Sequence, residues 1–287
     1  MKLGVQEFFH ADTNTFSYVV WDPQTLKGAI IDPVLDYDPK AGRTRTVSAD
    51  GIVTFVQEQN LAIDWILETH AHADHLTSAQ YLKGKLGGSV AIGVGITRVQ
   101  ETFKDILNLK DLATDGRQFD RLFKDRDRFQ LGSLTGHVIA TPGHTSDSLT
   151  FLIEDAAFVG DTLFAPDYGT ARVDFPGGDA EKLYRSIHRI FELPDQTRIF
   201  LCHDYPPEGR GPECVHTLAE QRARNIHIHD GIQQKDFVEM RHSRDAKLSL
   251  PRLIIPAIQI NICAGQFPPP EDNGIAYLKV PLNRLGK

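Results

Sequence analysis

The chain has 287 residues, of which 41% are hydrophobic and 24% are charged, so it can bury a sizeable core. Its net charge of -7, without a basic run, argues against nucleic acid as a partner. No apolar run approaches the length of a membrane span, and a membrane partner is therefore not expected. Glu7, His10 and Asp12 lie where a secretory signal would be apolar, so no signal is predicted.

The predicted elements begin as short strands and continue as alternating strands and helices. In chain order we expect strands at 5–9, 16–21 and 28–31, a helix at 47–60, a buried strand ending at His70, a helix at about 76–86, a strand near 90–92, a helix near 97–108, short strands across 119–160, a helix at 179–192, a strand at 198–202 and a helix near 214–229. This order predicts two sheets with helices outside, in one domain over 1–287. Residues 233–287 are expected to pack on it as an extension.

Three cysteines, Cys202, Cys214 and Cys263, form an odd number without Cys-x-x-Cys spacing. This pattern favours reduced thiols and a cytoplasmic location. Cys202 precedes His203 directly, so it could lie near a chemical site.

The segment "ETHAHADHLTSAQYLK" at 68–83 places His70, His72, Asp74 and His75 within six positions. In an extended chain the first two histidines would share one side, and the other two residues would turn over the start of the next helix. Clustered imidazoles repel one another when protonated and are costly to bury unpaired. A metal site is therefore the simplest interpretation.

Three later segments repeat the arrangement in which a ligand-type residue follows an apolar strand. They are "ATPGHTSDS" with His144, "AAFVGDTLF" with Asp161 and "RIFLCHDYP" with His203. Strand ends commonly position functional residues because the strand is rigid and the loop is accessible. The seven residues together would fit a site for one metal ion or for two equally well.

This set of residues resembles the metallo-β-lactamase superfamily, whose α/β fold is an αβ/βα sandwich of two mixed sheets with helices on the outer faces. The stretch "GDTLFAPDYGTARVDFPGGD", with "THAHADH" and "CHDY", resembles the persulfide dioxygenases, relatives of the ethylmalonic encephalopathy protein. The discriminating residues are Arg172, Val173, Asp174 and Phe175. The insertion "DYDPKAGRTRTVSADGI" is similar to a bacterial branch of that group.

The resemblance implies one iron(II) per chain held by His70, His144 and Asp161, which leaves open positions for oxygen chemistry. The supporting residues around these ligands would be His72, Asp74, His75 and His203. The implied reaction converts glutathione persulfide, O₂ and water to glutathione and sulfite. The resemblance also implies a homodimer.

Three residues are expected to act on the substrate: Arg172, Tyr205 and His203. A salt bridge from Arg172 to Asp174, or a packing role for Tyr205, would explain those two residues equally well. Because glutathione has two carboxylates, Arg222 and Arg224 are candidates for lining the cleft.

Two other functions remain open. One is a dinuclear hydrolase with two zinc ions, of the glyoxalase II or lactonase type, in which His72, Asp74, His75 and His203 would also bind metal. The other is a metal-stabilised binding module without catalysis. "GVG" at 93–95 predicts a tight turn without phosphate binding. Surface or capping roles are expected for the remaining histidines considered: His188, His216, His227, His229 and His242.

Overall fold

Two six-stranded sheets and one three-stranded sheet organise the chain, and the computed structural model describes residues 2–286 of it. In chain order the elements are β1 (Gly4–His10), β2 (Thr15–Trp21), β3 (Lys27–Ile31), β4 (Val34–Asp38), β5 (Arg43–Arg45), α1 (Val47–Glu58), β6 (Ala62–Leu67), β7 (Leu76–Thr77), α2 (Ala79–Leu86), β8 (Ser89–Gly93), α3 (Ile96–Leu107), β9 (Arg121–Phe123), β10 (Arg128–Leu131), β11 (Leu134–Ala140), β12 (Leu149–Ile153), β13 (Ala156–Phe158), α4 (Ala180–Phe191), β14 (Arg198–Phe200), β15 (Val215–Thr217), α5 (Leu218–Arg224), α6 (Gln234–Asp245) and α7 (Ile254–Asn261).

The first large sheet has the strand order β1-β2-β3-β6-β8-β9, antiparallel from β1 to β3 and parallel from β3 to β9. The second runs β10 to β15 in sequence order and is antiparallel except between β13 and β14. The small sheet is β5-β4-β7. Both large sheets are therefore mixed.

Strand β2 shows how the layers are built. Because successive side chains point to opposite faces, Tyr18 and Val20 join the core between the two sheets, whereas Val19 joins the core under α1, α2 and α3. Ala156 and Ala157 of β13 divide in the same way between the central core and the core under α4, α5 and α6. The predicted αβ/βα sandwich is confirmed.

The turn that carries His144 is fixed against the first turn of α4. Asp179 caps this helix by accepting from Lys182 N at 2.9 Å, and its own backbone N–H donates to Gly143 O at 2.8 Å. Gly143 has φ +146°, and a Cβ there would lie 2.3 Å from Leu183 N. Only glycine lets the backbone approach the helix so closely.

Three element boundaries differ from those predicted. The strand before His70 ends at Leu67, and Leu76–Thr77 pairs with β4, so α2 begins only at Ala79. The predicted helix at 214–229 was wrong over most of its length, since α5 covers only Leu218–Arg224. It ends at Arg224 because Asn225 has an extended backbone (φ -61°, ψ 120°), and the Asn225 side chain donates to Gly169 O at 3.0 Å.

The C-terminal residues pack on both sides of the sandwich. Phe237 of α6 lies in the core under α4, and Ala257 and Ile260 of α7 pack against Leu76. No helix within the described residues is both long and apolar enough to cross a membrane.

Candidate metal centre

The seven predicted ligand residues lie together at one edge of the sandwich. The segment 70–75 follows β6, and the other three residues follow β11, β13 and β14: His144, Asp161 and His203. Donor atoms from these residues lie within 4.8 Å of one another in two groups, and His72, Asp161 and His203 form a further group with Cys202, which therefore lies near the site as its position beside His203 suggested. The first donor group is His70, His144 and Asp161, and the second is His72, Asp74, His75 and His203.

The first donor group is oriented by hydrogen bonds on its outer nitrogens. His144 Nδ1 lies 2.7 Å from Arg172 O, a carbonyl that can only accept, so Nδ1 carries the proton. Thr69 Oγ1 donates to Asp32 Oδ2 at 2.8 Å and lies 3.1 Å from His70 Nδ1, so it accepts from that nitrogen. Both Nε2 atoms therefore have free lone pairs, at 3.6 Å (His144) and 3.9 Å (His70) from Asp161 Oδ2.

The second donor group is joined to the first through Asp161. His203 Nε2 lies 3.3 Å from Asp161 Oδ1 and 3.3 Å from Asp74 Oδ2, and its Nδ1 lies 3.2 Å from Asn14 O. His75 Nδ1 is 3.4 Å from Asp74 Oδ2. This arrangement has the composition of a second metal site that shares one carboxylate with the first.

Several of these donors are buried without a hydrogen-bond partner among residues 2–286. They are His70 Nε2, His72 Nδ1 and Nε2, His75 Nε2, His203 Nε2 and Asp161 Oδ1. His72 Nε2 and His203 Nε2 lie 3.0 Å from Asp32 Oδ1 and 3.3 Å from Asp161 Oδ1, but in orientations that form no hydrogen bond. Leaving such groups unpaired costs about 1–3 kcal/mol each, and a bound cation removes this cost. One ion with bonds of about 2.0–2.2 Å can span the donor separations, and imidazole with carboxylate suits iron or zinc.

The protonation states of two of the histidines agree with metal binding. Burial, together with the neighbouring imidazoles, places the pKa of His70 and of His72 well below the ordinary value, so both rings are neutral at pH 7. Burial also raises the pKa of Asp161, and His203 and His144 act in the opposite direction. A cation would favour the ionised carboxylate further.

Sequence reasoning missed several groups that order the ligand loop. Asp32 accepts from Thr69 N at 2.7 Å and lies 3.0 Å from His72 Nε2, and Asp147 accepts from Ala71 N at 2.8 Å. The sequence contains a signal for both carboxylates: Asp32 follows a buried strand in "IIDP", and Asp147 comes three residues after His144.

A third group that orders the loop comes from α7. The Asn261 side chain donates to His72 O and His75 O at 2.8 Å each and accepts from Thr77 N at 2.9 Å. No sequence pattern joins it to the motif, because it lies 186 positions beyond His75.

A cavity of about 360 Å³ opens onto Asp74, His144 and Asp161, and Arg172 and Tyr205 both line it. The Arg172 guanidinium pairs with Asp174 at 2.6 Å and donates to Ser249 O at 2.6 Å. Tyr205 stacks on the ring of His203, with centroids 5.8 Å apart. The salt bridge and the packing considered as alternatives are thus both present, and the catalytic roles of Arg172 and Tyr205 stay predictions.

Two expectations about side chains beyond the ligand set were wrong. Arg222 and Arg224 do not line the cavity, because they form surface ion pairs with Asp230 at 3.0 Å and Glu220 at 2.9 Å. His227 is neither on the surface nor a cap: it is buried and lines the cavity. His188, His229 and His242 agree with the expectation, since they are exposed, whereas His216 does not, because it lies in β15 with its side chain only 11% exposed.

Comparison with known proteins places this geometry in a family. The family model of the metallo-beta-lactamase superfamily matches residues 11–203. Glyoxylase B2 of Dictyostelium discoideum is 50% identical over 99% of this chain and 98% of its own length. A beta-lactamase hydrolase-like protein of Xylella fastidiosa is 50% identical over 98% of this chain, which spans 65% of that protein.

Persulfide dioxygenases are more distant relatives. The mitochondrial persulfide dioxygenase ETHE1 of Bos taurus is 31% identical over 92% of this chain and 90% of its own length. The crystal structure of ETHE1 from Myxococcus xanthus matches with a TM-score of 0.74 and 29% identity, over 92% of this chain and 100% of that one. The match to the family model, the sandwich fold and the cluster of seven residues that could hold a metal agree, and the chain belongs to the metallo-β-lactamase superfamily.

Proposed function

We propose that this protein is a persulfide dioxygenase with one iron(II) per chain. Its substrate would be glutathione persulfide, which with O₂ and water gives glutathione, sulfite and two protons. The observation that carries the proposal is the first donor group: His70, His144 and Asp161 form the two-histidine, one-carboxylate set typical of non-haem iron oxygenases. The likeness of the whole chain to ETHE1 supports it.

When bound, iron(II) would supply the redox step between O₂ and the persulfide sulfur. The protein's contribution would be orientation. Arg172 O and Thr69 Oγ1 hold the two ligand rings so that both Nε2 lone pairs face Asp161. Partners of this kind fix the tautomer and raise the basicity of a ligating imidazole.

The cavity wall would exclude water and place the persulfide. Phe164, Phe175 and Tyr205 give this wall an apolar surface beside the donor atoms. Burial, with the charges of Asp74 and Asp161, raises the pKa of Tyr205, so its phenol stays protonated and can donate a hydrogen bond to an anionic sulfur. The roles assigned to Arg172, Tyr205 and His203 remain part of the proposal, as does a homodimer.

A dinuclear hydrolase is the second candidate, and a specific observation favours it. The second donor group offers three imidazoles and a carboxylate, and His203 lies close to both Asp74 and Asp161. Two ions sharing a carboxylate would activate a water for hydrolysis of a thioester. The 50% identity to a protein named glyoxylase B2 also supports this candidate.

Metal analysis combined with an oxygen electrode tests the two candidates against each other. The proposal expects about one iron per chain, and O₂ uptake with glutathione persulfide that matches sulfite release. Two zinc ions per chain, with no O₂ uptake after anaerobic iron loading, would refute it. Hydrolysis of S-lactoylglutathione by the same preparation would then establish the second candidate.

A further inference from the structure

Part of the cavity lining is basic, and residues from α6 onward build this basic wall. Arg241 and Arg244 of α6 and Arg252 in the segment between α6 and α7 all line the cavity. Asp74 and Asp161 line the same cavity. A molecule in the cavity can therefore meet both the candidate metal ligands and guanidinium groups.

His227 adds an unpaired donor to the basic wall. Its Nδ1 accepts the backbone N–H of Thr170 at 2.9 Å, so the proton of the neutral ring is on Nε2. Nε2 is buried and has no hydrogen-bond partner within the described residues. The residue is 6% exposed and lines the cavity. Burial, helped by Arg241 and Arg244, lowers the pKa of His227 to about 3, so the ring stays neutral.

The three arginines differ in whether their charge is already neutralised. Arg241 is 2% exposed, pairs with Asp245 at 2.7 Å and donates to Thr170 O at 2.8 Å, which makes it a fixed part of the wall. Arg244 and Arg252 are exposed to the cavity and form no ion pair within residues 2–286. Two positive charges are thus available to a ligand.

We propose that Arg244, Arg252 and the Nε2–H of His227 form a carboxylate-binding subsite, which selects substrates carrying a carboxylate remote from the reacting sulfur. A guanidinium group presents parallel N–H donors that match the two oxygens of a carboxylate. The choice of carboxylate rests on the proposed function, because glutathione persulfide carries two such groups. The site places the substrate's peptide end against α6 and its sulfur near His144 and Asp161.

The test compares two ligands that differ in whether their carboxylates are ionised or methylated and that have no free thiol to bind a metal: S-methylglutathione and its dimethyl ester. Isothermal titration calorimetry is run on the metal-loaded wild type, on the double variant Arg244→Gln/Arg252→Gln and on Arg224→Gln. Arg224 is a matched control because it lies on α5 outside the cavity and pairs with Glu220. Both mutated cavity arginines are exposed, so the double variant should fold normally.

The wild type should bind the acid about tenfold or more tightly than the ester, as expected when a charged hydrogen bond is lost. The double variant should lose this preference, and Arg224→Gln should keep it. Equal binding of acid and ester to the wild type, or an unchanged preference in the double variant, would overturn the subsite.

This outcome is separable from the proposed function. A preparation without O₂ uptake that still shows the arginine-dependent preference would support the subsite and refute the dioxygenase. O₂ uptake with glutathione persulfide, without the arginine-dependent preference, would support the dioxygenase and refute the subsite.

Discussion

Two parts of the cavity lining are built by different principles. The metal end consists of buried imidazoles and carboxylates, several of whose outer atoms are already hydrogen-bonded, as His144 Nδ1 is to Arg172 O at 2.7 Å. The basic wall consists of guanidinium groups on one helix and in the segment after it, of which Arg241 is buried and paired whereas Arg244 and Arg252 are exposed. Hydrogen bonds hold the side chains of the first part in place, whereas the two exposed side chains of the second form no ion pair within the described residues.

The largest effect is expected at Asp161, which contacts both donor groups. Asp161→Asn removes the charge that faces His70, His144 and His203, so metal affinity should fall by more than about 100-fold. Metal content after dialysis against a chelator measures this. Asp195→Asn, at an exposed ion pair with Arg222, is the matched control. Retention of metal by Asp161→Asn would mean that the ion is held elsewhere.

The two donor groups should respond differently to the loss of one imidazole. We expect His144→Ala to lower metal content by about tenfold or more, because it removes a ligand of the first group. His75→Ala should leave the number of ions per chain unchanged, since that ring belongs to the second group. If each variant instead loses one of two ions, the site is dinuclear.

Loss of the Asn261 side chain should destabilise the ligand loop. Asn261→Ala leaves two buried carbonyls, of His72 and His75, and the N–H of Thr77 without their partner. The free energy of unfolding should fall by about 3 kcal/mol, as measured by urea denaturation. Asn273→Ala, whose side chain donates to the Tyr277 hydroxyl at an exposed position, should change it by less than about 0.5 kcal/mol. Similar decreases in the free energy of unfolding for the two variants would contradict this role of α7.

A smaller effect is expected when an orienting group is removed but every ligand is kept. Thr69→Val deletes the hydroxyl between His70 Nδ1 and Asp32 without changing the side chain's shape. Metal affinity should fall by about 10- to 100-fold, measured by competition with a chromogenic chelator. Thr102→Val, whose hydroxyl bonds Arg98 O on α3, should bind metal like the wild type.

The smallest effect concerns pH and the basic wall. The folded-state pKa of His227, about 3, lies below the unfolded value near 6.5, so at pH 5 the unfolded chain takes up a proton that the folded protein does not. Its contribution to stability is complete above pH 6.5 and declines as pH falls towards 3. His227→Gln should therefore reduce the loss of stability between pH 7 and pH 5, measured by urea midpoints at both values. If His227→Gln loses as much stability between pH 7 and pH 5 as the wild type, this ring does not titrate as described.

The metal end was largely predictable from sequence because its residues follow strands. An apolar segment precedes each of His70, His144, Asp161 and His203. The strands of one sandwich bring the loops that follow them to a common edge. Their assignment as ligands stays a prediction, although the structure brings them together. Asp32 obeys the same rule and was overlooked, because it stands alone in "IIDP" without a neighbouring histidine.

The basic wall was not predictable in the same way. Helix α6, "QKDFVEMRHSRD", is polar around most of its circumference, so its pattern does not reveal which face covers the cavity. Arg222 and Arg224 were expected in the cleft because glutathione has two carboxylates, but α5 places them in surface ion pairs. Such contacts depend on tertiary packing between segments that are distant in the chain.

The bonds from Asn261 to the loop have a consequence for how the protein matures. During synthesis the loop at 70–75 emerges long before residue 261, so the carbonyls of His72 and His75 have no partner until α7 has been made. A nascent chain stalled before α7 would display the histidine motif without the group that orders it. We therefore expect metal acquisition to follow the synthesis and docking of α7.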